Sequence, residues 1–107
     1  MNDKLRKDIY LFQGTNSEFL FDINVNNERY EMSPEDKLVL GVRDYRNNNQ
    51  FVISKEITGS NIIVFTPEDT NNLDIGYYIY NVKLEQNSTG NIYEIVSPSN
   101  FWIKAGE

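Results

Sequence analysis

Oxygen donors gather in one short stretch of this 107-residue chain, where Glu68, Asp69 and Asp74 flank the amides of Asn71 and Asn72. Carboxylate and amide oxygens are what Ca²⁺ takes as ligands. The spacing is not that of an EF-hand loop, because two of the acids are adjacent and Asp74 leads into the next strand pattern, so no metal site is assigned. Two carboxylates could instead cleave a glycosidic bond, which requires acids held roughly 5 to 10 Å apart across a cleft. A chain this short has little length to spare for such a cleft. Most of its acids fall on predicted loops or outward strand positions, where a solvated surface accounts for them.

The remaining chemistry is limited by what the composition lacks. There is no His and no Cys, which excludes Ser-His-Asp and Cys-His catalysis, His-ligated zinc, thiolate metal sites and disulfides. No catalytic residue and no cofactor are assigned. A formal charge of −6, with Lys and Arg scattered and forming no stripe, disfavours a nucleic-acid ligand, since phosphate binding depends on a basic patch. The apolar run Ile9 to Phe12 is too short for a signal h-region or a membrane span. Asn87-Ser88-Thr89 matches a glycosylation acceptor but reads as a turn.

The elements that must position any site are strands. The runs Asn26-Asn27, Asn47-Asn48-Asn49 and Asn71-Asn72 separate apolar segments and read as loops, because Asn tolerates turn geometry. Between them the segments are short and mostly of period two. Lys7 to Gln13 forms a first strand closed by Gly14. Glu18 to Val25 puts Phe19, Phe21, Ile23 and Val25 on one face. Lys37 to Asp44 alternates Leu38, Leu40 and Val42 against Val39, Gly41 and Arg43, after a turn at Ser33-Pro34-Glu35-Asp36 that could also open one helical turn. Phe51 to Ile57 suits an edge, because Lys55 and Glu56 discourage pairing with another chain. Asn61 to Thr66 ends at Pro67 and a long turn follows. Tyr77 to Glu85 and Asn91 to Val96 form a hairpin across Gln86 to Gly90, and Phe101 to Lys104 is a last strand after Pro98. About seven strands predict one all-β, immunoglobulin-like antiparallel sandwich over residues 1–107, with 1–8 a flexible N-terminal segment. The seven Tyr, six Phe and one Trp supply its core and anchor positions.

Leu73-Asp74-Ile75-Gly76-Tyr77-Tyr78 resembles the tyrosine corner of immunoglobulin-like sandwiches, in which a Tyr at the start of a strand bonds its hydroxyl to the backbone a few residues upstream. Asp74, Gly76 and Tyr78 are its residues here. More widely, Phe19-Leu20-Phe21-Asp22-Ile23, Ile63 to Thr70 and Gly76 to Leu84 resemble the immunoglobulin-like N-terminal domain of phage baseplate upper proteins. That family often carries a Gly-Asp pair where this chain has Gln13-Gly14-Thr15-Asn16. Its members usually continue into a C-terminal region not found in this sequence. The resemblance implies a structural role and transfers no catalytic or ligand residue.

Phe101, Trp102 and Ile103 cannot all enter one core, since neighbouring strand residues point to opposite faces. A Trp left outside would serve a protein contact or cap the open end of its own sandwich. Trp102, Phe101, Tyr77 and Ile79 are therefore the candidate interaction surface. The resulting expectation is a non-enzymatic structural or assembly protein of a phage or prophage tail or baseplate, located in the virion and assembled in the host cytoplasm. Its expected partners are other tail or baseplate proteins or a second copy, with no nucleic acid and no membrane. The alternative is a carbohydrate- or cell-wall-binding module using Tyr and Trp on a sandwich face.

Overall fold

The computed structural model describes residues 7–106. Among these residues nine strands form: β1 Ile9–Phe12, β2 Ser17–Leu20, β3 Asn24–Val25, β4 Glu28–Arg29, β5 Lys37–Asp44, β6 Gln50–Thr58, β7 Ile62–Phe65, β8 Gly76–Glu85 and β9 Ile92–Lys104. One sheet has the order β1-β9-β8-β5-β6, and two short pairs, β2-β7 and β3-β4, complete the architecture. The chain is an immunoglobulin-like β-sandwich, as its alternating segments predict. One departure concerns direction: β1 runs parallel to β9, pairing Ile9 with Phe101 and Leu11 with Ile103, so the large sheet is mixed rather than wholly antiparallel. Parallel neighbours need a long connection, and here almost the whole chain lies between them. The expectation of a flexible segment at 1–8 falls largely outside the described residues. Lys7 and Asp8 are tied down: the Lys7 N–H donates to Ser99 Oγ at 3.2 Å and the Lys7 carbonyl accepts from the Tyr80 hydroxyl.

Period-two alternation builds the core. Tyr78, Tyr80, Val82 and Leu84 of β8 face inward with Leu38, Leu40 and Val42 of β5 and with Phe101 and Ile103 of β9, and all are buried. From the other layer come Phe21, Ile23, Ile63 and Phe65. The rings interlock across the layers, with Phe65 5.6 Å from Phe101 and Phe101 5.9 Å from Tyr80. The tilted and edge-on geometries are those that ring quadrupoles favour.

Several boundaries differ from the sequence reading for identifiable reasons. The Glu18 to Val25 segment keeps its inward residues, but its ladder is interrupted after Leu20. There the Phe21 N–H donates to the Asn61 carbonyl and the Asn61 side-chain amide donates to the Phe21 carbonyl, both at 2.9 Å. Pro67 ends β7 and also begins a one-turn helix, α1 Pro67–Thr70. Its start is held by Asp69, whose carboxylate accepts from the Thr66 N–H at 2.8 Å and pairs with Lys55 at 2.7 Å. This reaching-back of a third-position acid is a helix-start device. Pro98 does not break the last strand: β9 runs through it, beside irregularities in register between Tyr80 and Lys83, where the missing N–H of Pro costs no ladder bond. The β6 strand is one edge of the large sheet and β1 the other. Of the Asn loops, Asn26, Asn27, Asn48 and Asn49 take left-handed backbone angles, with φ between 55° and 67°, for which Asn is several-fold enriched.

Ser33 to Asp36 forms the predicted turn and not a helix, with the Asp36 N–H donating to the Ser33 carbonyl at 3.1 Å. Asp36 is 1% exposed. Burial opposes its charge, but the Tyr30 hydroxyl and the Ser33 N–H both donate to Oδ2 and hold the carboxyl below its ordinary value of 3.8. A lowered folded-state value means that this contribution to stability is complete above pH 3.8 and is lost as pH falls through the folded value. Tyr30→Phe is expected to destabilise the domain at neutral pH by about 1 to 3 kcal/mol. Urea titrations of variant and wild type should then converge in acid, once Asp36 is protonated; a pH-independent gap would show that Asp36 is not the partner that matters.

Candidate functional site: an aromatic row on the open sheet face

The side chains that alternate away from the core leave one face of the large sheet to solvent, and aromatic residues fill a row across it. Tyr10 on β1 pairs in register with Trp102 on β9, and Trp102 pairs with Tyr77 on β8. Tyr10 and Trp102 are stacked with centroids 6.4 Å apart and planes within 5°, and Trp102 lies 5.1 Å from Tyr77. Tyr45 continues the row past the end of β5, 5.0 Å from Tyr77 and edge-on to it. The row's two ends are open, with Tyr10 56% and Tyr45 44% exposed; Trp102 and Tyr77 are half-buried by their neighbours.

Each member is placed by a local device. Tyr45 belongs to a 3-10 turn, Tyr45–Asn47, whose start is capped by Asp44. The Asp44 carboxylate accepts from the Arg46 N–H at 3.0 Å and pairs with Arg46 Nε at 3.2 Å. The Arg46 guanidinium then lies 5.8 Å from the Tyr45 ring and 5.2 Å from the Tyr78 ring, close enough for a cation–π attraction. At the other end, the Lys104 ammonium sits 5.3 Å from Tyr10 and 6.0 Å from Trp102. The row is therefore flanked by a cation at each end.

Tyr78 sits one residue from Tyr77 on the opposite face. Its hydroxyl donates to the Asp74 carbonyl at 2.7 Å, which ties the incoming loop to the start of β8. Burial pushes its phenol up from the ordinary value, partly offset by Arg46. Gly76 has φ of +143°, a left-handed backbone angle that other residues rarely adopt, and Arg46 passes 3.5 Å from where its side chain would begin. Asp74 contributes its backbone carbonyl to this corner.

Three of the four residues expected at an interaction surface lie on this face: Trp102, Tyr77 and Ile79. Phe101 does not. It is completely buried, packed on Phe65 and Tyr80, because it alternates with Trp102 along β9 and so must enter the core. Sequence reasoning missed Tyr10, Tyr45 and Phe51. Tyr10 alternates with buried Ile9 and Leu11, a signal present in the sequence. Tyr45 comes from a turn and could be placed only by tertiary structure. Phe51 is also exposed, and its ring lies so close over Gly41 that a Cβ there would meet it at 2.7 Å.

The oxygen-rich stretch after β7 does different work. Asp69 is held by Thr66 and Lys55, burial opposing its charge while these partners keep its carboxyl below 3.8. Among the described residues, no group of three or more His, Cys, Asp or Glu side chains is arranged to hold a metal ion. Two shallow grooves lie away from the row. One, of about 370 Å³, runs beside the β8–β9 turn between Glu35, Lys37, Glu85 and Asn91. The other, of about 240 Å³, lies beside the β3-β4 pair between Asp22, Arg29, Tyr30 and Asn61. No helix among the described residues is long and apolar enough to cross a membrane.

No family model and no curated protein matches the sequence. Among solved structures the chain is similar to CopC from Methylosinus trichosporium OB3b, at 10% identity and a TM-score of 0.49, covering 97% of this chain and 88% of that one. The expected role in a phage tail or baseplate is corrected accordingly: no family model or curated protein carries it, and the likeness to CopC, at this identity, speaks to the fold alone. The alternative of a carbohydrate- or cell-wall-binding module gains no support from them either. The rhythm of short alternating strands that suggested the phage family is a property of β-sandwiches in general, and function resides in sites rather than in the fold.

Tyr78→Phe removes the hydroxyl that satisfies the Asp74 carbonyl. We expect it to lower the unfolding free energy by about 1 to 3 kcal/mol, read as an earlier midpoint in a denaturant titration. An unchanged midpoint would show that this bond does not anchor the corner.

Proposed function

We propose that this chain is a non-catalytic recognition domain that acts by contact, through the row Tyr10, Trp102, Tyr77 and Tyr45, and that its ligand is a protein surface. The observation that carries this reading is the row itself: four rings with successive centroids 5.0 to 6.4 Å apart on the outward face of the large sheet, open to solvent at Tyr10 and Tyr45. Contiguous exposed apolar patches mark interaction sites. Tyr, Trp and Arg are the side chains that dominate binding energy at protein interfaces, and Arg46 and Arg43 border the row. A sheet-mounted site is also rigid, so little ordering entropy is lost on binding.

The buried polar groups support the non-catalytic part of this reading, because they are engaged in structure. Asp36 holds Tyr30 and Ser33, Thr70 accepts from the Gly14 N–H at 2.9 Å, and Ser99 donates to the Ser97 carbonyl at 2.7 Å. Without His or Cys, a general base near neutral pH would have to come from a carboxylate or Lys of perturbed acidity.

The test is selection of random displayed peptides on the immobilised domain. Enriched peptides are expected to lose binding to Tyr10→Ser/Tyr45→Ser, which alters only the two exposed ends of the row. They are expected to retain it on Leu20→Ser, an equally exposed substitution on β2. Peptides that bind the double variant as well as the wild type would place the recognition surface elsewhere and overturn the reading.

A further inference from the structure

The aromatic row is bounded by positive charge, and from this we infer that the partner docks through an acidic, extended peptide segment. This deepens the reading of the row as a recognition surface and rests on it. The anchor is Lys104. It pairs in register with Phe12 on β1, which is 54% exposed, and its ammonium lies 5.3 Å from the Tyr10 ring and 6.0 Å from the Trp102 ring. Among the described residues no carboxylate pairs with it. An exposed cation thus stands beside three aromatic residues without a counter-charge of its own.

A carboxylate meeting Lys104 there makes a charge-assisted hydrogen bond, which apolar neighbours strengthen by lowering the local dielectric. The other end of the row offers a second, weaker contact. Arg46 keeps 44% of its side chain exposed, but its Nε is already held by Asp44 at 3.2 Å, which offsets part of its charge and leaves only the terminal amines for an incoming acid. From Lys104 on β9 to Arg46 beyond the end of β5 is two strand spacings, about 10 Å. An extended segment rises about 3.3 Å per residue and turns alternate side chains to the same side. Acids four residues apart therefore bracket one apolar side chain, set down on Trp102 and Tyr77.

The overall charge of −6 does not forbid an acidic ligand. Glu18 and Glu28 stand on β2 and β4, outside the large sheet, and beyond a Debye length of about 8 Å at physiological salt such repulsion is largely screened. Asp8, which borders this face, already accepts from the Asn100 N–H and side-chain amide. A single nucleic-acid strand would also offer negative charge and flat rings to stack. It needs a positively charged groove that tracks its backbone, whereas here one cation stands toward each end of the row.

The test begins from peptides selected out of a random displayed library on the full chain. Those that need Tyr10 and Tyr45 are expected to be enriched in Asp and Glu over Lys and Arg. By titration calorimetry, a synthetic copy should bind about five- to tenfold more weakly at low salt once its acids are changed to Asn and Gln. Lys104→Glu should weaken the acidic peptide by about tenfold and Arg46→Gln by less, while a copy with Lys in place of the acids should bind Lys104→Glu more tightly than it binds wild type. A merely structural role for Lys104 would not invert the preference. Should Lys104→Glu fail to fold, wild type gives an independent readout: acidic-peptide binding should weaken toward about 1 M salt, where the Debye length is about 3 Å, and the amide copy should be far less affected.

Neutral or basic peptides at the row, an amide copy that binds as tightly as the acidic one, or an unchanged preference in Lys104→Glu would each overturn the acidic segment and leave the recognition surface standing. A library that yields no peptide dependent on Tyr10 and Tyr45 would remove both. Oligothymidylate bound more tightly than the selected peptides, or self-association of the chain that these peptides disrupt, would make the occupant a nucleic acid or a second copy and overturn the inference as well.

Discussion

Along β8 and β9, each residue that enters the core obliges its neighbours to leave it, and the whole molecule is organised by that obligation. Tyr78, Tyr80, Phe101 and Ile103 fill the space between the layers. The side chains forced outward by the same pleat, Tyr77, Ile79, Asn100 and Trp102, form the middle of the open face. Core and surface are therefore not independent designs. A one-residue slip between these strands would carry Trp102 inward and expose Phe101, losing the packed ring cluster and the aromatic row together.

That register is pinned from several directions. The Tyr78 hydroxyl clamps the loop entering β8 to its own strand, and Arg46 lies against the same ring from the outer side. The Lys7 carbonyl and the Tyr80 hydroxyl join the start of β1 to the centre of β8, across β9. With no disulfide or thiolate metal site available to a chain without Cys, such side-chain to backbone bonds take on the role of stapling the ends of the sandwich to its core. Their loss costs more than an average hydrogen bond, because the abandoned partner is shielded from water.

Charge is distributed with the same division of labour. Asp36 and Asp69, whose carboxyls are held below the ordinary range, each fix a loop: one the turn before β5, the other the helical turn after β7. Lys55 reaches inward from the edge strand to Asp69 and over Phe65, and an inward-pointing charge on an edge strand is a recognised protection against unwanted strand pairing.

Much of this was legible in the amino-acid order. The β5 strand, the edge position of β6, the β8–β9 hairpin and the turn at Ser33 to Asp36 follow from alternation, charge and Pro or Gly placement, all of which are local. Alternation alone also showed that one of Phe101, Trp102 and Ile103 had to face outward. What local pattern could not supply was which strand neighbours which. The parallel pairing of β1 with β9, closed over nearly the full length of the chain, brings Tyr10 beside Trp102. The turn after β5 brings Tyr45 beside Tyr77. Phe101 was placed on the surface by proximity in sequence to Trp102, and the pleat sent it to the core. Single side chains thus announced their direction in the sequence. Their assembly into a continuous row was decided only by folding, because contacts across a sheet depend on register between residues far apart in the chain.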